Sequence, residues 1–192
     1  MRRNKFTIIA FAAILWANLC MTSCHDNKKT SSQTTEDNTE TSQKQVSDST
    51  VYGICGEGSA MHTLELITDE GDTIEYAISD EGDMQTTVQG GMFAGDRMAV
   101  IGTKINNENV ATKVINLTAL LGKWTSIDKN FEIQEGGTVK SDVKAESHPW
   151  TSWQICNGKL LLNKDTFDID VLGPDSLCLE NHDGIFAYKR IH

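Results

Sequence analysis

The chain has 192 residues, of which 39% are hydrophobic and 23% charged, so it can form one large domain or two small ones. Its formal net charge is -10. An acidic surface does not suit the phosphates of a nucleic acid or the headgroups of an anionic membrane, so no nucleic-acid partner is expected.

Residues 1–23 have the pattern of a secretory signal peptide. Three cations, Arg2, Arg3 and Lys5, precede a mainly apolar run over residues 6–19. This run is shorter than the ~20 residues that span a bilayer comfortably, which makes a retained transmembrane helix the weaker interpretation. Loss of these three cations with the leader would lower the net charge from -10 to about -13.

The end of this leader, Met21 to Cys24, resembles the lipobox of bacterial lipoproteins. The resemblance implies that Cys24 receives diacylglycerol, that the leader is cut off before it, and that the new amino terminus is acylated, for example with palmitate. Met21 departs from the commoner leucine, and Cys20 is a poorer choice because Leu19 would occupy the small position before the cut. Several acyl chains would hold the protein durably in the membrane, because each buried CH₂ adds ~0.8 kcal/mol of binding free energy. The expected location is the cell envelope, at the outer membrane, with the membrane face left open.

Residues 25–50 predict a flexible tether behind the lipidated cysteine. The segment is polar throughout, lacks aromatic residues and has Val46 as its only large aliphatic residue. It cannot bury enough apolar surface to offset the entropy of ordering it. The end-to-end distance of a flexible chain of n residues is ~5–6 Å × √n, so these 26 residues typically span about 25–30 Å. Residues 48–50, 72–74 and 175–177 also resemble short O-glycan acceptors of exported Bacteroidota proteins, although chance explains such matches equally well.

Residues 51–119 predict a first β module of about five strands. A strand from Val51 is interrupted at residues 57–59 and resumes to Thr68, and the turn at residues 69–72 leads into an alternating strand. Residues 92–102 resemble the corresponding part of OB-like barrels, which implies a small closed sheet. Such barrels often bind single-stranded nucleic acid, but this module is acidic and poor in aromatic residues, so the resemblance predicts a shape only.

Residues 120–192 predict a second antiparallel β module of roughly six strands. Its clearest signal is Asn157-Gly158, a two-residue hairpin turn that would place Ile155 opposite Leu160 and Trp153 opposite Leu162. Further along, the residues that alternate inward are Phe167, Ile169 and Val171, with Asp168 and Asp170 between them.

The second module resembles the lipocalin-like domains of exported Bacteroidota lipoproteins. The resemblance covers about 70 residues and rests on Gly122-x-Trp124, the Trp153-x-Ile155 strand, the Phe167 strand and the closing hairpin at residues 177–190. Full lipocalins are longer and eight-stranded, so a filled barrel or half-barrel that leans on the first module is expected. Modules of this size have marginal cores, and three tryptophans, Trp124, Trp150 and Trp153, are candidates to seal an interface between them.

The sequence holds no recognisable catalytic, metal or cofactor motif. Neither His-x-x-x-His nor Cys-x-x-Cys occurs, so no metal or cofactor is expected. Cys156 and Cys178 could form a disulfide in an exported protein, but buried free thiols are the simpler interpretation. Asp168 and Asp170 could act as paired carboxylates, yet the solvated side of a strand explains them better. Trp150 and Trp153 could form a platform for a sugar ring, although core packing is favoured.

We therefore expect an all-β, non-enzymatic lipoprotein of the envelope that binds a small apolar ligand or another envelope protein. Trp153, Phe167 and Ile169 are the candidate ligand-binding residues, and Cys24 is the lipidation site. The alternative is a structural accessory subunit of an envelope complex without a ligand pocket. A hydrolase with an unrecognised site is the least favoured interpretation.

Overall fold

The computed structural model describes residues 47–80, 82–141 and 148–192. The chain from Gln45 to His192 forms one compact unit, which contains both predicted β modules. The predicted signal peptide, Cys24 and the tether up to residue 46 lie outside the described residues and stay predictions. Among the described residues, no helix has the length and apolar character needed to cross a membrane.

The described residues are nearly all β, as predicted, and form fourteen strands. The strands of the first module are β1 (Val51–Cys55), β2 (Thr63–Thr68), β3 (Thr73–Ala77), β4 (Thr87–Gln89), β5 (Arg97–Ile105) and β6 (Glu108–Asn116). Those of the second are β7 (Gly122–Thr125), β8 (Asn130–Gln134), β9 (Thr138–Ser141), β10 (Trp153–Cys156), β11 (Lys159–Leu162), β12 (Asp165–Leu172), β13 (Ser176–Asn181) and β14 (Gly184–Ile191). A short helix, α1 (Leu117–Leu120), joins the modules, and 3-10 turns lie at Gly82–Met84 and Glu135–Gly137.

The first module is a small closed barrel. Its strands follow the order β3-β2-β1-β5-β6-β4, and a parallel pairing of Ala77 with Val110 joins β3 to β6 and closes the ring. The short β4 lies parallel to β6 outside this ring. Its interior is filled by alternating side chains of the strands, among them Leu64, Leu66, Met98, Val100 and Val114. This arrangement confirms the predicted small closed sheet.

The predicted interruption at residues 57–59 is a chain reversal, so the prediction of one kinked strand was wrong. β1 and β2 pair antiparallel, with Gly53 opposite Thr68. The turn between them is tight: the Gly56 N–H donates to the Glu65 carbonyl at 2.8 Å. A Cβ on Gly56 would lie 2.0 Å from a Glu65 carboxylate oxygen, so a larger residue there would have to displace the Glu65 side chain.

The second module is an eight-stranded up-and-down barrel, so the estimate of six strands was too low. Its strand order is β10-β11-β12-β13-β14-β7-β8-β9, in which the last strand of the chain pairs with the first of the module. A single bridge between Thr138 and Ser152 links β9 to the start of β10. Gly136-Gly137, a hairpin signal in the sequence, joins β8 to β9, but the polar sequence of β9, with only Val139 buried, left the extent of this strand open.

The interior of the second barrel is filled with side chains. Its buried residues include Trp124, Phe131, Ile133, Ile155, Leu160, Leu162, Phe167, Ile169, Leu177, Leu179 and Tyr188. Phe131 packs edge-on against Trp150 and Tyr188, with ring centroids 5.1 and 5.0 Å apart.

The second barrel differs from the sequence-based prediction at Val171, whereas its cysteines are free thiols, as the simpler interpretation expected. Val171 is 41% exposed and Leu172 is buried in its place, because a β-bulge shifts the register between Ile169 and Val171. Cys156 and Cys178 are free thiols, as is Cys55. Cys156 lies on β10 and Cys178 on β13, with β11 and β12 between them. Three strand spacings of about 4.8 Å exceed the ~4.4–6.8 Å Cα separation that a disulfide needs.

Candidate functional site: the cleft between the two barrels

The apolar core of the second barrel extends across the junction into the first barrel. Ala99 and Ile115 of the first barrel belong to the same buried cluster as Trp124 of the second. Leu117 and Leu120, both on α1, lie in this cluster as well. The connecting helix is thus part of the core, and the modules are held in a fixed relation to each other.

A glutamine of β4 docks onto the bulge of β12 and reinforces the junction. The Gln89 amide donates through Nε2 to the Asp170 carbonyl at 2.8 Å, and its Oε1 accepts from the Leu172 N–H at 3.0 Å. Next to it, the Gly90 N–H donates to the Leu172 carbonyl at 3.0 Å. The side chain therefore satisfies backbone groups that the bulge leaves unpaired in the ladder.

Polar contacts also gather at the Asn157-Gly158 turn. Asn157 donates its N–H to the Asp48 carboxylate at 2.9 Å and accepts from the Ser49 N–H through Oδ1 at 2.9 Å. Lys113 of β6 donates to the Gly158 carbonyl at 3.2 Å. The chain thus enters the folded unit beside this turn, at the end of the second barrel that faces the first.

Arg190 ties α1 and the β12–β13 turn to the second barrel. Its guanidinium donates to the carbonyls of Ala119 at 2.5 Å, Leu121 at 2.6 Å and Pro174 at 2.5 Å. The same group lies 4.1 Å above the ring of Trp124, within range of a cation–π interaction. Burial lowers the pKa of Arg190, and the nearby carboxylate of Asp175 opposes this effect.

A cleft of about 520 Å³ opens where the two barrels meet, and we call it the inter-barrel cleft. It lies at the seam between β9 and β10, where the Thr138–Ser152 bridge is the one strand pairing among the residues that the structure describes. Its lining is mainly apolar and aromatic, with a few polar groups, and comes from both barrels and the linker: Tyr52, Arg97, Leu117, Thr118, Leu121, Glu135, Gly136, Gly137, Trp153, Gln154 and Ile155.

Each of the two aromatic rings of this cleft is fixed by a hydrogen bond of its own. The Tyr52 hydroxyl donates to the Ile155 carbonyl at 2.6 Å, and the Trp153 Nε1–H donates to the Gln134 carbonyl at 2.7 Å. Burial raises the pKa of Tyr52, with a smaller contribution from Asp48, so the hydroxyl stays a donor at neutral pH. The ring positions are therefore set before any ligand binds.

The one guanidinium that lines the inter-barrel cleft is already neutralised. Arg97 forms a two-pronged ion pair with Asp69, and its own N–H donates to the Thr118 hydroxyl at 2.8 Å. The hydrogen bond from Arg97 lowers the pKa of Asp69, and the carboxylate in turn raises the pKa of Arg97. With this charge paired, the cleft favours a neutral, apolar ligand over an anion.

The three candidate ligand-binding residues lie in different places. Trp153 is half-buried and lines the inter-barrel cleft. Phe167 is buried and borders a groove of about 440 Å³ at the far end of the second barrel. Ile169 is 2% exposed in the barrel core. A shared role of the three in ligand binding stays a prediction, and the structure does not bring them to one cavity.

The tryptophans are similarly divided. Trp124 is buried near the linker and Trp153 lies at the cleft, whereas Trp150 lies at the far end of the second barrel. There Trp150 packs edge-on against Phe131 and Phe167 and donates to the Asp165 carboxylate at 3.2 Å. The prediction that Trp150 seals the interface is therefore wrong, because these contacts lie at the opposite end of the barrel.

Asp168 and Asp170, the predicted carboxylate pair, both contact residues of the first barrel. Asp168 binds Lys159 at 2.6 Å and Lys113 at 3.6 Å, and these lysines lower the pKa of Asp168. Asp170 lies in the bulge and offers its carbonyl to Gln89. Within the part of the chain that the structure describes, no three His, Cys, Asp or Glu residues are grouped as they would be in a metal site.

Most lining residues of the inter-barrel cleft were not identified from the sequence. Leu121, Arg97 and the Glu135–Gly137 turn are far apart in the chain and carry no motif. The one usable signal was Trp153 in a strand beside a hairpin turn. No protein-family model, curated protein or solved structure matches this chain.

Proposed function

We propose that this protein is a non-enzymatic lipoprotein of the cell envelope, anchored through Cys24, that binds a small apolar ligand in the inter-barrel cleft. The observation that supports binding is the cleft itself. Its volume of about 520 Å³ lies within the ~300–1,000 Å³ typical of small-molecule sites. Such sites occur preferentially where two domains meet, with a mostly apolar lining and a few fixed polar groups.

The chemistry of the lining supports a neutral ligand with an apolar or aromatic body. Tyr52, Leu121 and Trp153 offer apolar surface, while Gln154 and the Glu135–Gly137 turn provide hydrogen-bonding groups at the rim. The charge of Arg97 is paired with Asp69, so a ligand carboxylate would have to compete with that ion pair.

A neutral fluorescent probe, N-phenyl-1-naphthylamine, tests ligand binding with the compact unit of residues 45–192. We expect its emission to rise on binding and the Trp153→Ala variant to weaken binding about tenfold, since much of one aromatic face is lost. Phe186→Ala, at the far end of the second barrel, is the matched control and should leave the affinity unchanged. Equal loss in both variants, or no binding by the parent protein, would refute the proposed cleft.

The anchoring is tested separately on the full-length protein in its native cells. Mass spectrometry of the mature protein should find Cys24 at the amino terminus with its thiol diacylated. Cys24→Ser should move the protein from the membrane fraction to the soluble fraction. An unmodified thiol with the leader still attached would refute the anchor and leave the cleft proposal untouched.

The alternative function, a structural accessory subunit, is favoured by one observation at the other end of the second barrel. Ile127 and Ile185 project into solvent there, with 102% and 65% of their surfaces exposed. Exposed aliphatic side chains next to each other are typical of protein contacts.

A further inference from the structure

β10 is an edge strand on the side that faces the inter-barrel cleft. It stands at one end of the strand order, and all four of its residues pair with β11. Within the described residues, the pairing on its other side is the bridge between Thr138 and Ser152, which precedes the strand. The outward backbone groups of β10 itself therefore lie outside the ladder of the barrel.

The register of the β10–β11 hairpin shows which backbone groups these are. A two-residue turn separates Cys156 from Lys159, so this pair exchanges both ladder hydrogen bonds, and the next pair, Ile155 with Leu160, exchanges none. The N–H and C=O groups of Ile155 therefore point away from β11. The carbonyl agrees with this phase, because it accepts from the Tyr52 hydroxyl of the first barrel at 2.6 Å.

The Ile155 N–H is thus a hydrogen-bond donor in the wall of the inter-barrel cleft. Ile155 lines the cleft and is only 2% exposed, so this N–H lies in mainly apolar surroundings. In the described part of the chain, its carbonyl is bonded to Tyr52, whereas no hydrogen bond runs from its N–H to another residue. A buried N–H without an acceptor is costly and rare in native proteins. This donor therefore marks a position at which a ligand oxygen would be held.

Other donors of the cleft lining are already engaged. The Tyr52 hydroxyl and the Trp153 Nε1–H each donate to a backbone carbonyl. The Arg97 guanidinium is held by the carboxylate of Asp69. The Ile155 N–H differs from these three groups, because a ligand can bond to it without breaking a contact of the protein.

We propose that the ligand of the inter-barrel cleft carries a carbonyl oxygen on an apolar body, and that this oxygen accepts a hydrogen bond from the Ile155 N–H. The inference rests on the proposed function, since it names the class of ligand for the same cleft: a neutral ketone, ester or amide. The apolar body packs against Trp153 and Leu121. A site with a buried polar group discriminates strongly against an analogue that leaves this group unpaired.

A peptide strand is a poorer occupant of this edge than a small molecule. A strand added to a sheet edge bonds to alternating N–H and C=O groups along it. Here the Ile155 carbonyl is already taken by Tyr52. At Trp153, the next residue that faces outward, Gly137 lies so close that a Cβ on it would be 3.1 Å from the Trp153 carbonyl oxygen. One donor between two blocked carbonyls suits a ligand with a single acceptor.

Two probes of nearly equal shape test the role of the carbonyl. They are 2-acetylnaphthalene and 2-isopropenylnaphthalene, in which a CH₂ group replaces the carbonyl oxygen. Binding to isotope-labelled residues 45–192 is followed by nuclear magnetic resonance. We expect both probes to shift the signals of Trp153 and Gly137, and the ketone to bind about tenfold more tightly. Only the ketone should move the amide proton of Ile155 downfield.

The outcomes separate this inference from the proposed function. Equal affinity of the two probes in the inter-barrel cleft would overturn the carbonyl contact and leave the cleft as a ligand site. Binding of neither probe to the cleft, together with no binding of N-phenyl-1-naphthylamine, would overturn both.

Two changes show whether the Ile155 N–H is the donor. Replacement of Ile155 by its 2-hydroxy acid analogue turns the amide into an ester, which removes this N–H and keeps the side chain, so the preference for the ketone should disappear. Tyr52→Phe removes the nearest hydroxyl and should change the affinity for both probes alike, so the tenfold preference should remain. A preference that survives the ester, or that is lost in Tyr52→Phe, would assign the carbonyl to another donor and overturn the proposal.

Discussion

Replacement of Arg190 by alanine should be among the most destabilising single changes in the second barrel. The guanidinium holds three carbonyls that belong to separate parts of the chain: Ala119 and Leu121 at the end of α1, and Pro174 in the β12–β13 turn. It also covers the ring of Trp124 at 4.1 Å. Arg190→Ala therefore loosens the linker, the turn and the first strand of the barrel together.

The expected loss in the free energy of unfolding follows from the contacts of Arg190. A hydrogen bond to a charged group contributes ~1.5–3 kcal/mol, and a cation–π contact ~0.5–2 kcal/mol. Arg190 is half-buried, so water replaces part of each contact and the terms do not add fully. We expect Arg190→Ala to lower the free energy of unfolding by about 3 kcal/mol. Arg190→Lys, which can reach only one carbonyl, should lower it by about 2 kcal/mol.

Urea unfolding of residues 45–192, followed by tryptophan fluorescence, measures these differences. The midpoint should fall while the m-value stays constant, which marks a change in stability alone. Lys189→Ala, at the exposed neighbouring position, is the control and should stay within about 0.5 kcal/mol of the parent. A loss of less than about 1 kcal/mol in Arg190→Ala would show that the contacts of Arg190 do not stabilise the fold.

Three further changes test the junction and the barrel closure by the same urea assay. Gly122→Ala should cost about 1–3 kcal/mol, because φ is +121° there and the added methyl would lie 2.5 Å from a guanidinium nitrogen; a neutral result would contradict the strained backbone. Gln89→Ala should cost about 1–3 kcal/mol, since it leaves the buried Leu172 N–H without its acceptor, and Gln89→Glu should cost at least as much, because its buried carboxylate would face the Asp170 carbonyl. The hydrogen bond from Lys159 is the main cause that lowers the pKa of Asp168. The ionised Asp168 therefore adds a small amount to the free energy of unfolding above the unfolded pKa of ~3.9, and this stabilisation is lost as pH falls through the lower folded pKa. Asp168→Asn should flatten the acid limb of a plot of midpoint against pH, and an unchanged limb would rule out this ion pair as its cause.

Local turn chemistry made one part of the fold predictable from the sequence. Asn157 and Gly158 have φ values of 48° and 73°, the left-handed conformations that a two-residue hairpin turn of this type requires. Because such a turn fixes its register, the predicted pairs of Ile155 with Leu160 and Trp153 with Leu162 are confirmed. Everything that this hairpin needs is contained in ten consecutive residues.

Features set by distant partners were not predictable in this way. The bulge that turns Val171 outward is held by Gln89, a residue more than 80 positions earlier in the chain. Likewise, β9 exists because β8 pairs with it, although its own sequence is polar. The inter-barrel cleft is more remote still, since residues from Tyr52 to Ile155 meet only after both barrels have closed.

The proposed ligand site has a physical origin in how the second barrel closes. Its interior is filled by Trp124, Phe131, Phe167 and their neighbours, so a ligand could enter it only by displacing core side chains. Space remains where the strand ladder is incomplete. One gap is the seam of β9 with β10, beside which the first barrel builds the walls of the inter-barrel cleft. The other is the seam of β14 with β7, where β14 has eight residues and β7 only four. The space for the proposed ligand therefore lies at a seam of the second barrel and not inside it.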